Sequence, residues 1–163
     1  MQAGSGGLLG FIESLPLAVA MRQELWLYPL VEIAHITGFV VLVGSIAVLD
    51  LRLLGLSRAL PVSVLTRHVV PWSVAAFALI VPTGLLMFSA HASDFVSNRA
   101  FQLKLLLIVL AGINAALFHA GVFRSVARWD QDAAPPMSAR LHASASLLLW
   151  LGVLSCGRLL AYL

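Results

Sequence analysis

H-I-T-G-F-V-V-L-V-G-S-I-A-V-L-D-L, residues 35–51, opens on an imidazole and carries no other charged or titratable side chain until Asp50. Extended outward to about residues 30–54, the apolar run is long enough to cross a bilayer, which takes about 20 mostly apolar residues. Three further runs meet the same test, at about 69–91, 102–124 and 141–162. The whole chain agrees. Of its 163 residues 61% are hydrophobic and only 10% charged, whereas globular domains carry about 25% charged residues. So small a soluble domain has too much surface to be coated by so few charges. The sequence therefore specifies an all-α integral membrane protein, a four-helix up-down bundle in a single domain spanning residues 1–163.

The N-terminus lacks the basic start of a signal peptide, and its apolar stretch is broken by Glu13 and Pro16, so it is expected to be retained. From about residue 14 to 27 the pattern is amphipathic, with Leu15, Ala18, Val19, Leu25 and Trp26 against Arg22, Gln23 and Glu24. This predicts an interfacial helix capped by Ser14, with Trp26 and Tyr28 at headgroup level. The loops between spans are short, so successive spans are antiparallel neighbours. Ser97 or Asn98 can cap the third span and Ser138 the fourth. Pro71 is expected in the first turn of the second span, and Pro82 within it, as a kink. Two loops hold Arg52, Arg58, Arg67, Arg124, Arg128 and Arg140; the other side holds Arg22, Arg99, Lys104 and Arg158. Six against four orients both termini outward, to the periplasm, with the two basic loops cytoplasmic. A net charge of +3 spread in this way is a topology signal and excludes a nucleic-acid footprint.

Five histidines carry most of the remaining chemistry. Counted along the spans at about 1.5 Å per residue, His35 and His91 fall in an outer layer, and His68, His119 and His142 in an inner one. Two histidine layers on different helices suit b-type haem, whose iron takes one imidazole on each face. The expected cofactor is haem b, two per chain: His35 with His91 outside, and His142 with His119 or His68 inside. Gly38 beside His35, Gly112, Ala115 and Ala116 before His119, and Gly84 before His91 leave room for a macrocycle. Small residues also serve helix packing without any cofactor, and His68 and His142 lie where an imidazole can simply be wet. Glu32, one turn before His35, either orients its ring or is a solvated carboxylate. Asp50 and Arg52 are expected to pair with each other or with a loop, and Asn114 to bridge helices. Copper is the alternative metal: Met87 and His91 share a helical face, and His35, His119 and His142 add ligands. With one cysteine, Cys156, there is no thioether haem attachment. Nucleotide-loop, zinc-protease and hydrolase motifs are absent, so any activity belongs to a cofactor or a partner subunit.

The pattern L-Y-P-L-V-E-I-A-H-I-T-G-F-V-V-L-V-G-S-I-A-V-L-D-L-R-L-L-G from Leu27, with P-W-S-V-A-A-F-A-L-I-V-P-T-G-L-L-M-F from Pro71, resembles an uncharacterised family of small bacterial four-span membrane proteins. The third and fourth spans share that resemblance. More distantly, His35 with Gly38 and Gly44 is similar to the membrane domain of copper-resistance protein D. The two-layer histidine plan is similar to cytochrome b561-type domains. The two histidine layers with their expected haems predict a small b-type cytochrome of the bacterial inner membrane, in electron transport with a quinone or a periplasmic redox protein as partner. A homo-oligomer or a larger membrane complex is the structural alternative.

Overall fold

The computed structural model describes residues 7–160 and 162. Residues 1–6, whose retention is expected from the sequence, and Ala161 and Leu163 at the C-terminus lie outside them. Seven α-helices follow in order: α1 Leu8–Ser14, α2 Pro16–Gln23, α3 Leu27–Leu54, α4 Val62–Ala90, α5 Ala92–Ser97, α6 Arg99–Ala120 and α7 Met137–Leu159. A 3₁₀ segment, Val122–Arg128, follows α6. Helices α3, α4, α6 and α7 are each long and apolar enough to cross a membrane. Their outward faces are hydrocarbon, with Val40, Leu148 and Leu151 among the most exposed side chains, as a lipid solvent allows.

Helix α3 packs on α4 and on α7, and α6 packs on α7. Two glycines set the close approaches. A Cβ on Gly38 would lie 2.8 Å from Ile80 Cγ1 of α4, and one on Gly152 would lie 2.9 Å from Leu107 Cδ1 of α6. Two apolar clusters result. Phe39, Leu42, Ile80, Trp150 and Val153 fill the middle of the bundle; Leu49, Leu53, Val62, Phe118 and Trp129 fill the end that bears the basic loops.

The N-terminal segment departs from the expected single helix over 14–27. Leu15 is extended (ψ 142°) between α1 and α2, because a residue before proline is pushed out of the helical region. Ser14 therefore caps nothing ahead of it, and its hydroxyl donates back to Phe11 O at 2.7 Å. Both helices strap the terminal end: Arg22 donates to Ala90 O and Glu13 O, and Glu13 accepts from Ser93 N at 2.7 Å. That backbone donor, followed by the Ser93 hydroxyl, holds the Glu13 carboxyl below its ordinary range.

The second span begins at Val62, seven residues before the expected start, so Pro71 lies in the helix interior and not in its first turn. Its start is completed from another loop. Asp130 O accepts Val62 N at 3.0 Å, and the Asp130 carboxylate accepts Ser63 N and Ser63 Oγ at 2.7 Å each. Arg52, fully buried, donates to Leu60 O, Arg58 O and Asp130 O, fastening both loops to the foot of α3. The α3 terminus itself closes on Gly55 at φ 110°, with Leu56 N reaching back to Leu51 O, a left-handed cap that favours glycine. Of the two expected caps for the third span, Asn98 is the one used, its Oδ1 accepting from Ala100 N and Phe101 N. Ser138 does not cap the fourth span, whose N-cap is Pro136.

Candidate functional site

The five histidines meet five different environments. His35 is wedged between α3 and α4. Its Nδ1 lies 3.1 Å from Ile80 O and 2.9 Å from Thr83 Oγ1. Ile80 O can only accept, and Thr83 already donates to Leu79 O at 2.7 Å, so Nδ1 carries the ring proton. Pro82, lacking an N–H, breaks the helical bonding in this turn, where the Thr83 hydroxyl and His35 supply donors. Gly84 makes the space, since a Cβ there would sit 3.0 Å from His35 Cε1. Phe39 packs edge-on against the other side of the ring.

His91 does not share that level. It stands seven residues beyond Gly84, about 10 Å farther along α4 at the helical rise. There it faces the Tyr28 ring at 6.3 Å and Asp94 at 3.9 Å. The expected outer pair of His35 with His91 is therefore not assembled, because the crossing of α3 and α4 puts Gly84 opposite His35. Gly38, expected to make room for a macrocycle, is filled by Ile80 and serves helix packing. Glu32 is exposed and leaves His35 to be oriented by α4.

The inner layer splits. His68 donates from Nδ1 to Val64 O in its own helix and faces outward, into an open groove it shares with Trp72 and Gly44. His119 and His142 instead line one cavity of about 430 Å³ between the two apolar clusters. Asn114 settles the state of His142. Its Nδ2 donates to His142 O at 3.0 Å, which turns its Oδ1 toward the ring, 2.8 Å from Nδ1. His142 Nδ1 is then the protonated nitrogen, and Nε2 keeps its lone pair. His119 lies edge-on to the Phe118 and Phe123 rings, and Phe118 is also edge-on to His142.

Three further residues complete the cavity. Asp50 and Ser146 are both buried in its wall, and Ser73 joins them from α4. Among the described residues Asp50 Oδ2 and Ser73 Oγ have no hydrogen-bond partner. Asp50 does not pair with Arg52, whose Nε and Nη2 donate to loop carbonyls. A carboxylate inside an apolar run is a visible signal in the sequence. Ser73 gives none, because a serine in a membrane helix ordinarily bonds its own preceding turn. Lys104, otherwise only a topology charge, points inward over the Phe39 ring at 5.1 Å.

A family model matches residues 28–163, from the first turn of α3 through all four long helices. The chain belongs to DUF6644, a family of unknown function. No curated protein and no solved structure matches this DUF6644 chain, so the likenesses to copper-resistance protein D and cytochrome b561 draw no support from them. The matched region holds every histidine and the whole cavity, while α1 and α2 precede it.

Chemically, the cavity offers apolar and aromatic walls, one imidazole fixed by a neighbour with its second nitrogen free, and a second imidazole. That donor set fits an axially ligated haem, and a hydrogen bond to the far ring nitrogen is how proteins orient metal-ligating histidines. Among the described residues no three of His, Cys, Asp and Glu converge.

Proposed function

We propose that the protein is a small b-type membrane cytochrome in which His142 and His119 would hold one haem in the cavity at the loop end. The observation that carries this reading is the Asn114–His142 contact, which fixes the imidazole and leaves Nε2 free in a cavity that His119 also lines. Gly112, where a Cβ would meet nothing within 4 Å, and Ala115 leave the α6 wall open beside the imidazoles. Bound there, haem b would supply one-electron transfer; the chain's own part is to ligate, orient and keep water out. Because His35 and His91 stand at different levels, the reading takes one haem and not two. Its electron-transfer partner is a membrane quinone or a periplasmic redox protein, in the bacterial inner membrane with both termini outward. The test is the absorption spectrum of the purified protein, oxidised against dithionite-reduced, with a pyridine haemochrome assay. One haem per chain is expected; no Soret band after expression with ample haem would sink the reading.

A further inference from the structure

The bundle is not closed all round. Helix α4 packs on α3 and α6 packs on α7, but the backbones of α4 and α6 do not approach each other closely. Side chains bridge their seam at both ends. At the terminal end Phe88 of α4 stacks on Phe101 of α6 at 5.7 Å, with Phe95 beside both. At the other end the 3₁₀ segment reaches the foot of α4, bringing Val122, Phe123 and Val126 against the buried cluster there. Between these bridges the seam is bordered by Val70, Val74 and Phe77 of α4 and by Gly112 and Ala115 of α6. All five line the cavity. Val74 is 63% exposed and Phe77 44%, and Gly112 and Ala115 are exposed as well. In a bilayer these side chains face acyl tails, so the cavity opens into lipid.

Behind that opening lie two buried polar atoms without partners, Asp50 Oδ2 and Ser73 Oγ. Hydrocarbon cannot satisfy them, and leaving such atoms unpaired in an apolar medium is costly. We infer that the cavity is loaded sideways from the bilayer, through the α4–α6 seam, by a planar-ring amphiphile whose ring-edge oxygens accept from the Ser73 hydroxyl and from Asp50 in its carboxylic-acid form. Phe77, Phe118 and Trp150 offer the ring faces against which such a plane packs. The inference rests on the proposed function only in taking this cavity as a ligand site. Haem and an isoprenoid quinone share the required chemistry.

The full-length protein in phosphatidylcholine vesicles separates the two sources. Haemin uptake is followed by its Soret band, and decylubiquinone by saturable quenching of tryptophan emission that disappears in Trp150→Phe. Plugging the seam with Gly112→Leu or Ala115→Leu is expected to slow or weaken uptake about tenfold or more. A Cβ at Gly112 meets nothing within 4 Å, so the substitution starts from open space; Ala115→Leu is the second, independent plug. Gly44→Leu, on the groove at the α3–α4 face, is the control and should leave uptake unchanged. Lateral loading is overturned if both plugs leave uptake as it was, or if neither probe enters. Decylubiquinone entry without haemin ligation would defeat the haem assignment and support the lateral route. Haemin binding at an unchanged rate in plugged protein would do the reverse.

Discussion

His35 and His142 start alike. Each sits in an apolar helix, has its Nδ1 held by an acceptor on a neighbouring helix and keeps Nε2 unprotonated. What differs is the space beside the ring. At His35 the hollow left by Gly84 is just filled by the imidazole, with Phe39 behind it and Lys104 beyond. At His142 the neighbouring glycine, Gly112, faces emptiness, and the ring looks into a cavity with a second histidine. The same hydrogen bond thus locks two helices together in one place and aims a free nitrogen in the other. An ionisable group in a membrane span is a functional candidate by default; packing decides whether it is glue or ligand.

The comparison can be broken most directly at the rings themselves. His142→Ala is expected to abolish haem retention, whereas His35→Ala should keep the haem and lose about 1–3 kcal/mol of stability through the orphaned Thr83 and Ile80 groups. Haem-to-protein ratio and thermal unfolding in detergent separate the two outcomes; equal haem loss in both variants would erase the distinction. Removing the orienting partners comes next. Asn114→Leu should weaken haem binding about 10–100-fold, the usual effect of losing a second hydrogen-bonding partner to a ligating histidine, while Thr83→Val should leave the haem titration unchanged. The glycines sharpen the contrast in space. Gly84→Ala drives a Cβ into His35 and should cost about 1–3 kcal/mol. Gly112→Ala meets nothing and should be neutral or gain up to about 1 kcal/mol from helix propensity.

The smallest effect belongs to the joint that holds the cavity's floor. The Ser63 backbone N–H, then its hydroxyl, hold the Asp130 carboxyl below the ordinary carboxylate range, with Arg52 nearby adding to the effect. A carboxyl depressed in the folded state contributes stability that is present above its unfolded pKa and is lost as pH falls through the lower folded value. Wild-type stability should therefore decline on acidification across that window, and Asp130→Ala should remove part of the decline. At neutral pH the loss should be about 1 kcal/mol, as for a helix cap. Parallel acid-unfolding curves for the two proteins would show that the cap does not contribute.

The four spans were legible because lipid imposes a length and a composition that local sequence cannot hide. Their ends were less so. Residues 62–68 read as loop because they are polar, yet they are helical: Asp130, 67 positions away from Ser63, supplies the cap. The inner pair His119 and His142 was within reach of depth counting along the helices. Depth counting failed for His35 and His91, because it assumes that helices cross at matching heights, and the contacts of Gly38 with Ile80 and of Gly84 with His35 set a different register.

By itself, then, the sequence determined the solvent, the number of spans and the residues capable of ligation. Those follow from hydrophobicity and side-chain chemistry, which are properties of each residue. Only the tertiary structure decided which histidines look into a shared space, that Arg52 serves the loops and not Asp50, and that α4 and α6 stand apart. Those are properties of how helices approach one another, and they turn on a few sites where the presence or absence of one Cβ sets the distance.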